Sequence, residues 1–251
     1  MTTVRPIHLL AVSLSLTLPL APTRGADREM VAWQRHVLTD QYTSEGAGMG
    51  DLNNDGQGDV VAGPWWYEGP DFKKKHALYE PKTFGPNQYA DNFFSYVHDF
   101  NDDGWNDVLV LPFPGKEAWW MENPGKRESR IANRESGEAA HWKKHVVVSQ
   151  VGNESPTWTD ITGDGKPEVV CSQDGYYGYA SPDWSDATKP WKFHRIRDQS
   201  AGGKFTHGLG VGDINGDGRP DLLEKRGWWE QPASLEGDPQ WTLHKFTFTP
   251  A

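Results

Sequence analysis

The apolar positions of this chain fall in short, separated runs. Four of them, "VVAG", "VLVL", "VVC" and "LL", start at residues 60, 108, 169 and 222. Each follows at once on a Gly-rich turn, and runs of this length after such turns predict buried strands. The turns are copies of one another: "DLNNDGQGD" (51–59), "DFNDDGWND" (99–107), "DITGDGKPE" (160–168) and "DINGDGRPD" (213–221). Their starts lie 48, 61 and 53 residues apart. A period in this range signals a repeat architecture.

Two further signatures recur. An aromatic pair follows each loop: Trp65–Trp66, Trp119–Trp120, Tyr176–Tyr177 and Trp228–Trp229. An aromatic-to-His segment comes next: "FKKKHAL", "WKKHVVV", "WKFHRI" and "WTLHKF". With a leading strand before the loop, each repeat has four strands, the content of one propeller blade. The repeats lie near 44–79, 92–148, 153–196 and 206–246. The expected fold is therefore all-β, a β-propeller of about four four-stranded blades within 26–251.

The N-terminal "WQRHVL" (33–38) carries the aromatic-x-x-His signature with no blade before it. It predicts a stray outer strand, and hence an incomplete or open ring whose exposed edges invite self-association. A fragment of a longer propeller, without a function of its own, is a further reading. The segment "PGKRESRIANRESGEAAH" (124–141) breaks the rhythm and predicts an exposed loop.

The one long apolar run, "IHLLAVSLSLTLPLA", follows Arg5 and precedes small residues, as in a secretory signal peptide of residues 1–25. It is short of the ~20 residues needed to span a membrane. The expected location is secreted or periplasmic. The single cysteine, Cys171, excludes an intrachain disulfide, so stability must come from packing or metal. Net charge is −10, and loss of Arg5 and Arg24 would leave −12.

The loops account for much of that acidity. Calcium takes six to eight oxygens, and Gly at loop position 6 permits the sharp turn. Positions 1, 3, 5 and 9 offer side-chain oxygens and position 7 a carbonyl. The first set is Asp51, Asn53, Asp55 and Asp59 with the Gln57 carbonyl; the second is Asp99, Asn101, Asp103 and Asp107 with that of Trp105. The third is Asp160, Thr162, Asp164 and Glu168 with that of Lys166; the fourth is Asp213, Asn215, Asp217 and Asp221 with that of Arg219. Up to four Ca²⁺ would bring −12 to −4. Such a balance leaves no basic face for nucleic acid. The third set, with Thr and a longer Glu, is expected to be the weakest. A helix–loop–helix calcium site is excluded. It needs Glu at position 12 and a helix on each side; this chain has Ala62, Val110, Cys171 and Glu224 there, and only the last is acidic, and it falls in a strand pattern.

These loops, with "THGLGVGDINGDGRPDLL" and the following "WWEQP", resemble the FG-GAP/VCBS-type repeat, the calcium-loop blade of integrin alpha-subunit-like propellers. The resemblance covers roughly all of 26–251. It implies a secreted calcium-binding β-propeller; related propellers also occur in a few polysaccharide lyases and a sugar dehydratase.

Ten of the 13 Trp fall at recurring strand positions and read as packing rather than sugar platforms. Trp105, Trp158 and Trp184 remain, and Trp105, in a loop, is the better ligand contact. His36, His76, His145, His194 and His244 recur as strand residues packing between blades. Glu45, Glu154 and His207 lie at or near leading strands. They are candidates for a channel-mouth cluster that binds a ligand or performs acid–base chemistry. The plainer reading is polar residues lining a channel. The expected function is a binding or scaffold module for an extracellular protein or glycan; the alternative is a carbohydrate-active enzyme, a polysaccharide lyase or sugar dehydratase, that uses the channel mouth.

Overall fold

The computed structural model describes residues 33–125 and 141–246. The expected signal segment and most of the 124–141 insertion lie outside the described residues. The chain divides into Met1–Arg35 and His36–Ala251, and the second unit holds every strand of the fold.

Every element is a β-strand, and among the described residues no helix is long and apolar enough to cross a membrane. The first sheet runs β1 (Gly48–Gly50), β2 (Asp59–Ala62), β3 (Trp65–Tyr67), β4 (Lys75–Ala77) in that order. The last runs β12 (Gly210–Gly212), β13 (Asp221–Glu224), β14 (Gly227–Glu230), β15 (Thr242–Lys245). Between them in the chain lies a seven-stranded sheet. It holds β5 (Asn92–His98), β6 (Asp107–Pro112), β7 (Lys116–Glu122), β8 (Lys143–Thr159), β9 (Glu168–Gln173), β10 (Tyr176–Ser181) and β11 (Lys192–Ser200), consecutive and antiparallel.

β8 explains the seven. Up to Val151 it pairs with β7, and from Gly152 onward with β9. It turns at Asn153, whose φ of 59° is left-handed and whose Oδ1 accepts from the Ser172 amide at 3.0 Å. Each acidic loop thus joins the first two strands of a four-strand run, as the sequence predicts. The merging of two runs through one 17-residue strand is not predicted.

The runs stack face to face. Along β6, Val108 and Val110 join Leu52, Val61 and Trp66 of the first run, while Leu109 and Leu111 join Val169 and Cys171 of the third. Val170 in turn joins Leu222 and Trp229 of the fourth. Alternation along a strand sends successive side chains to opposite faces. A strand covered on both faces therefore reads as an unbroken apolar run. β6 is buried at all six positions, whereas β2 alternates between buried and half-buried.

The same backbone bond ties each run to the one before it. The amides of Trp142, Trp191 and Trp241 donate to the carbonyls of Leu78, Val147 and Ile196 at 2.8, 2.7 and 2.8 Å. Each acceptor lies two residues past the strand histidine. The innermost strands also press together. A Cβ on Gly48 would stand 2.4 Å from the Ser95 carbonyl oxygen, and one on Gly46 2.4 Å from that of Phe93.

Two expectations are corrected. Residues 33–38 form no strand, and Val37 is exposed. A lone strand has no ladder to satisfy its amides, and among the described residues no sheet edge pairs with this segment. His36 instead meets the Phe72 ring edge-on at 5.2 Å. The aromatic pairs are also not equivalent between runs. Cross-strand register aligns Trp66, Trp120, Tyr179 and Trp228, each opposite a strand histidine. Tyr176–Tyr177 is offset from that set.

Candidate functional site

The four loops share one geometry. In the first, the Asp51 carboxylate accepts from the amides of Asp55 (3.2 Å) and Gly56 (2.8 Å). Asn53 Oδ1 accepts from Asp55 N, and Asp55 Oδ1 from Gln57 N. The second loop repeats this with Asp99, Asn101, Asp103, Gly104 and Trp105, and the fourth with Asp213, Asn215, Asp217, Gly218 and Arg219. In the third, Asp160 accepts from Gly163 and Gly165, and Asp164 from Lys166. Asn and Asp close turns on their own backbone in this way. The consequence is convergence: Asn53, Asn101 and Asn215 each place Nδ2 within 3.2 Å of the position-5 carboxylate.

The ninth-position acids behave differently. Asp59, Asp107 and Asp221 are fully buried and Glu168 nearly so. Each of the three aspartates accepts at one oxygen from the second loop residue: Leu52, Phe100 or Ile214. The other oxygen accepts from an amide just beyond the third strand: Gly69, Asn123 or Gln231. These acids clamp the loop to its own sheet. Burial pushes Asp107 up to about 7, against the donated amides, and neighbouring Asp103 and Asp99 add to the rise. Burial likewise raises Glu168 to about 7 and raises Asp59. A cation in the loop would oppose that rise by favouring the charged form.

The third loop departs for a visible reason. The residue just beyond its third strand is Pro182, which has no amide hydrogen. Its Glu168 bonds Ile161 N at 3.1 Å on one oxygen, and on the other it meets the Thr162 hydroxyl at 3.5 Å.

The residues present fit a hard cation. The side-chain oxygens of Asp, Asn and Asp at positions 1, 3 and 5 and a main-chain carbonyl at position 7 are the donor types calcium takes. Positions 1, 3 and 5, half-buried or exposed, would contribute most, because the ninth acid already serves the backbone.

Loops are joined in pairs. Asn54 Nδ2 donates to the Gly104 carbonyl and Asn106 Nδ2 to that of Asp51, both at 2.7 Å. Asn123 Nδ2 donates to Leu52 O and Asn106 O, both at 2.8 Å. Gln231 makes the matching link to Ile161 and Pro220. Apart from Asn54 and Asn106, these amides lie outside the loop motif. Their sequence signal is an amide side chain just after Glu122 and Glu230.

The strand histidines belong to a recurring stack. His76, His145 and His244 lie on Trp66, Trp120 and Trp228 at 4.2–4.3 Å, and bond Glu68, Glu122 and Glu230 at 2.6–2.7 Å. The expectation of packing between blades is corrected for these three, which pack within their own sheet. The third run has Ser181 in place of Glu, and there His194 stacks on Tyr179 and bonds Asp238 of the fourth run.

The candidate channel cluster is brought together only in part. His207 Nε2 lies 2.9 Å from Glu154 Oε2, with His207 largely exposed. Glu45 Oε1 instead accepts from the Ala90 amide at 3.0 Å and from the Tyr42 hydroxyl. Glu45 and Glu154 are nonetheless equivalent, since their amides donate to Asn92 O and Thr206 O of the following run, each at 2.9 Å. Trp105 is half-buried rather than exposed, with its indole against Gly125. Trp158 and Trp184 pack with Phe100 and His98.

Sequence reasoning missed a cleft of about 950 Å³ between the first two runs. Its aromatic wall includes Tyr79, Phe84, Tyr89 and Phe113, and its charged lining balances Glu80, Asp91 and Glu117 against Lys82, Lys116 and Lys144. Tyr89 is 66% exposed, yet it is held against Phe93 and Phe113 at 6.0 and 5.5 Å.

Comparison with known proteins places these features. No curated protein matches the chain. Two solved structures are similar to it at low identity. One is a lectin of Agrocybe aegerita described by its specific recognition of non-reducing terminal N-acetylglucosamine. It shows 19% identity, a TM-score of 0.46, and coverage of 75% of this chain and 49% of that one. The other is the Photorhabdus luminescens Tc holotoxin pore, with 16% identity, a TM-score of 0.39, and coverage of 75% and 8%. The chain thus spans about half the length of that lectin. The model of the FG-GAP-like repeat matches residues 99–171 and 160–224, together half of the chain and three of its four loops. This protein belongs to the FG-GAP-like repeat family.

Proposed function

We propose that this protein is a secreted, calcium-stabilised β-propeller-type module that binds an extracellular ligand, with the stacked runs as its blades. The observation that carries the binding role is the cleft beside Tyr89. It is concave, of ligand size, and joins flat half-exposed rings to polar groups. Its balanced charges favour a neutral glycan over a polyanion. Three congruent loops and a divergent third support calcium: Asp51, Asn53 and Asp55 and their counterparts would hold the ion. Its role there would be to neutralise crowded carboxylates and rigidify the turn. Glycan-array binding by the wild-type protein, lost in Tyr89→Ala with an unchanged melting temperature, would support the reading. Array binding that survives Tyr89→Ala would move the ligand elsewhere.

A second reading rests on the Glu154–His207 pair. A carboxylate holding an exposed imidazole can serve acid–base chemistry on a sugar. Product formation abolished by His207→Ala is the result that would favour it.

A further inference from the structure

Of the three stacking interfaces inside this chain, the first sets glycines of one leading strand against a small and an apolar side chain of the next, and the other two carry larger side chains at the glycine positions. Gly48 and Gly50 of β1 face Ser95 and Val97 of β5 so closely that a Cβ would sit 2.4 Å from Ser95 O and 2.3 Å from Val97 Cγ1. Tyr96 and His98, on the other face of β5, meet the leading part of β8. The Tyr96 hydroxyl donates to Pro156 O at 3.4 Å, and the His98 ring lies 5.8 Å from that of Trp158. Leu209 and Val211, flanking the start of β12, pack back on the core shared with the third run.

Two halves of that first pairing are left over. On β12 the positions matching Gly48 and Gly50 are Gly210 and Gly212. Among the described residues a Cβ on Gly212 would meet nothing within 4 Å, and one on Gly210 only Leu223 at 3.8 Å. On β1 the positions matching Ser95 and Val97 are Ala47 and Met49. Both are exposed, Met49 by 68%. Among the described residues, nothing therefore covers the glycine face of the fourth run or the small-then-apolar face of the first.

We infer that these two faces are the two sides of one interface between copies of this chain: the glycine face of β12 receives Ala47 and Met49 of a second copy. The contact is face on face, continuing the internal stack, and not strand edge on strand edge. It is heterologous, so reciprocal seating closes a pair and one-way seating grows a longer array. Clamping by a side-chain amide is not available there, because Gly69 stands where Asn123 and Gln231 stand in their runs. The second-to-third interface, with Pro182 following β10, holds without a clamp from that residue.

Sedimentation velocity over a hundredfold range of protein concentration tests the inference. Wild type should associate with rising concentration. Gly210→Val fills space that is open in one chain, so it should abolish association and keep the dilute-sample melting temperature. Met49→Asp buries a charge in the contact and should weaken association by about tenfold or more. A protein that stays monomeric throughout overturns the inference. So does association that neither substitution weakens. If Gly210→Val lowers the dilute melting temperature, the face is already covered within one chain, and the inference fails.

Discussion

His145 lies over Trp120 with ring centroids 4.3 Å apart and planes 24° from parallel. The pair faces across two strands, and Glu122, on the same face of the sheet as Trp120, completes it through His145 Nε2. The Glu122 carboxyl is held below its usual range: burial works to raise it, but the bonds from His145 and Lys143 outweigh burial. A depressed carboxyl contributes stability that is present above its unfolded value, near 4.5. That contribution is lost as pH falls through the lower folded value. Melting temperature should therefore drop on acidification below about pH 4.5, and Glu122→Gln should flatten that part of the profile. An acid limb that Glu122→Gln leaves unchanged would remove this pair from the account.

Trp120 is fully buried, and Trp120→Ala should cost ~3–5 kcal/mol by denaturant titration. Trp65 differs. It is half-buried on the opposite face with the Lys75 ammonium 4.2 Å above its ring, so Trp65→Ala should cost clearly less. Equal losses would show that the two faces of the sheet are packed alike.

Calcium should raise the melting temperature. A ligand bound only by the native state adds about 2.7 kcal/mol per site at a hundredfold excess over Kd. Asp217→Ala should lose more of this than Asp160→Ala, because the third loop has Thr162, a poorer ligand, where the fourth has Asn215. Differential scanning calorimetry with and without chelator reads both effects. No shift on adding chelator would leave the loops as metal-free turns.

Gly48→Ala should destabilise by ~1–3 kcal/mol, the usual range for overpacking, since the Ser95 carbonyl cannot retreat without moving β5. Asn123→Ala should cost about the same, because it strips the buried Leu52 carbonyl of its donor. Chemical denaturation of both variants checks the ranking against a surface substitution such as Lys73→Ala.

Cys171 is fully buried, and burial pushes its thiol up to about 12. The thiolate is the reactive form, so a thiol reagent should label the native protein only as fast as it opens. Rapid labelling under native conditions would contradict the packing of β9 between the second and fourth runs.

The sequence shows the local parts of this design and hides the long-range ones. The loops at 51, 99, 160 and 213 announce themselves because their repeated polar side chains, and most of the bonds these make, lie within nine residues. Alternation also makes β6 and β9 readable as strands covered on both faces. The true partner of His194 is not readable. Tyr179 replaces Tyr177 because cross-strand register, set by the turn, decides which ring faces the imidazole. Asn123 and Gln231 are hidden because each bonds a carbonyl about 70 residues away. Pro182 with Glu168 is legible in principle: a longer acid goes with the missing amide.

The stack of runs has a consequence for cooperativity. Among the described residues the runs pack chiefly against their neighbours in the chain, with one longer reach where Lys204 and Phe205, at the head of the fourth run, meet Phe113 of the second, so the energy of this protein is close to a chain of on-site and nearest-neighbour terms, like a one-dimensional magnet. In such a system the ends open first. β2 and β13 should exchange their amide hydrogens before β6 and β9, and damage at one end should fray one run without melting the rest. A partner docked at either end would act at a distance, because it converts a terminal spin into an interior one.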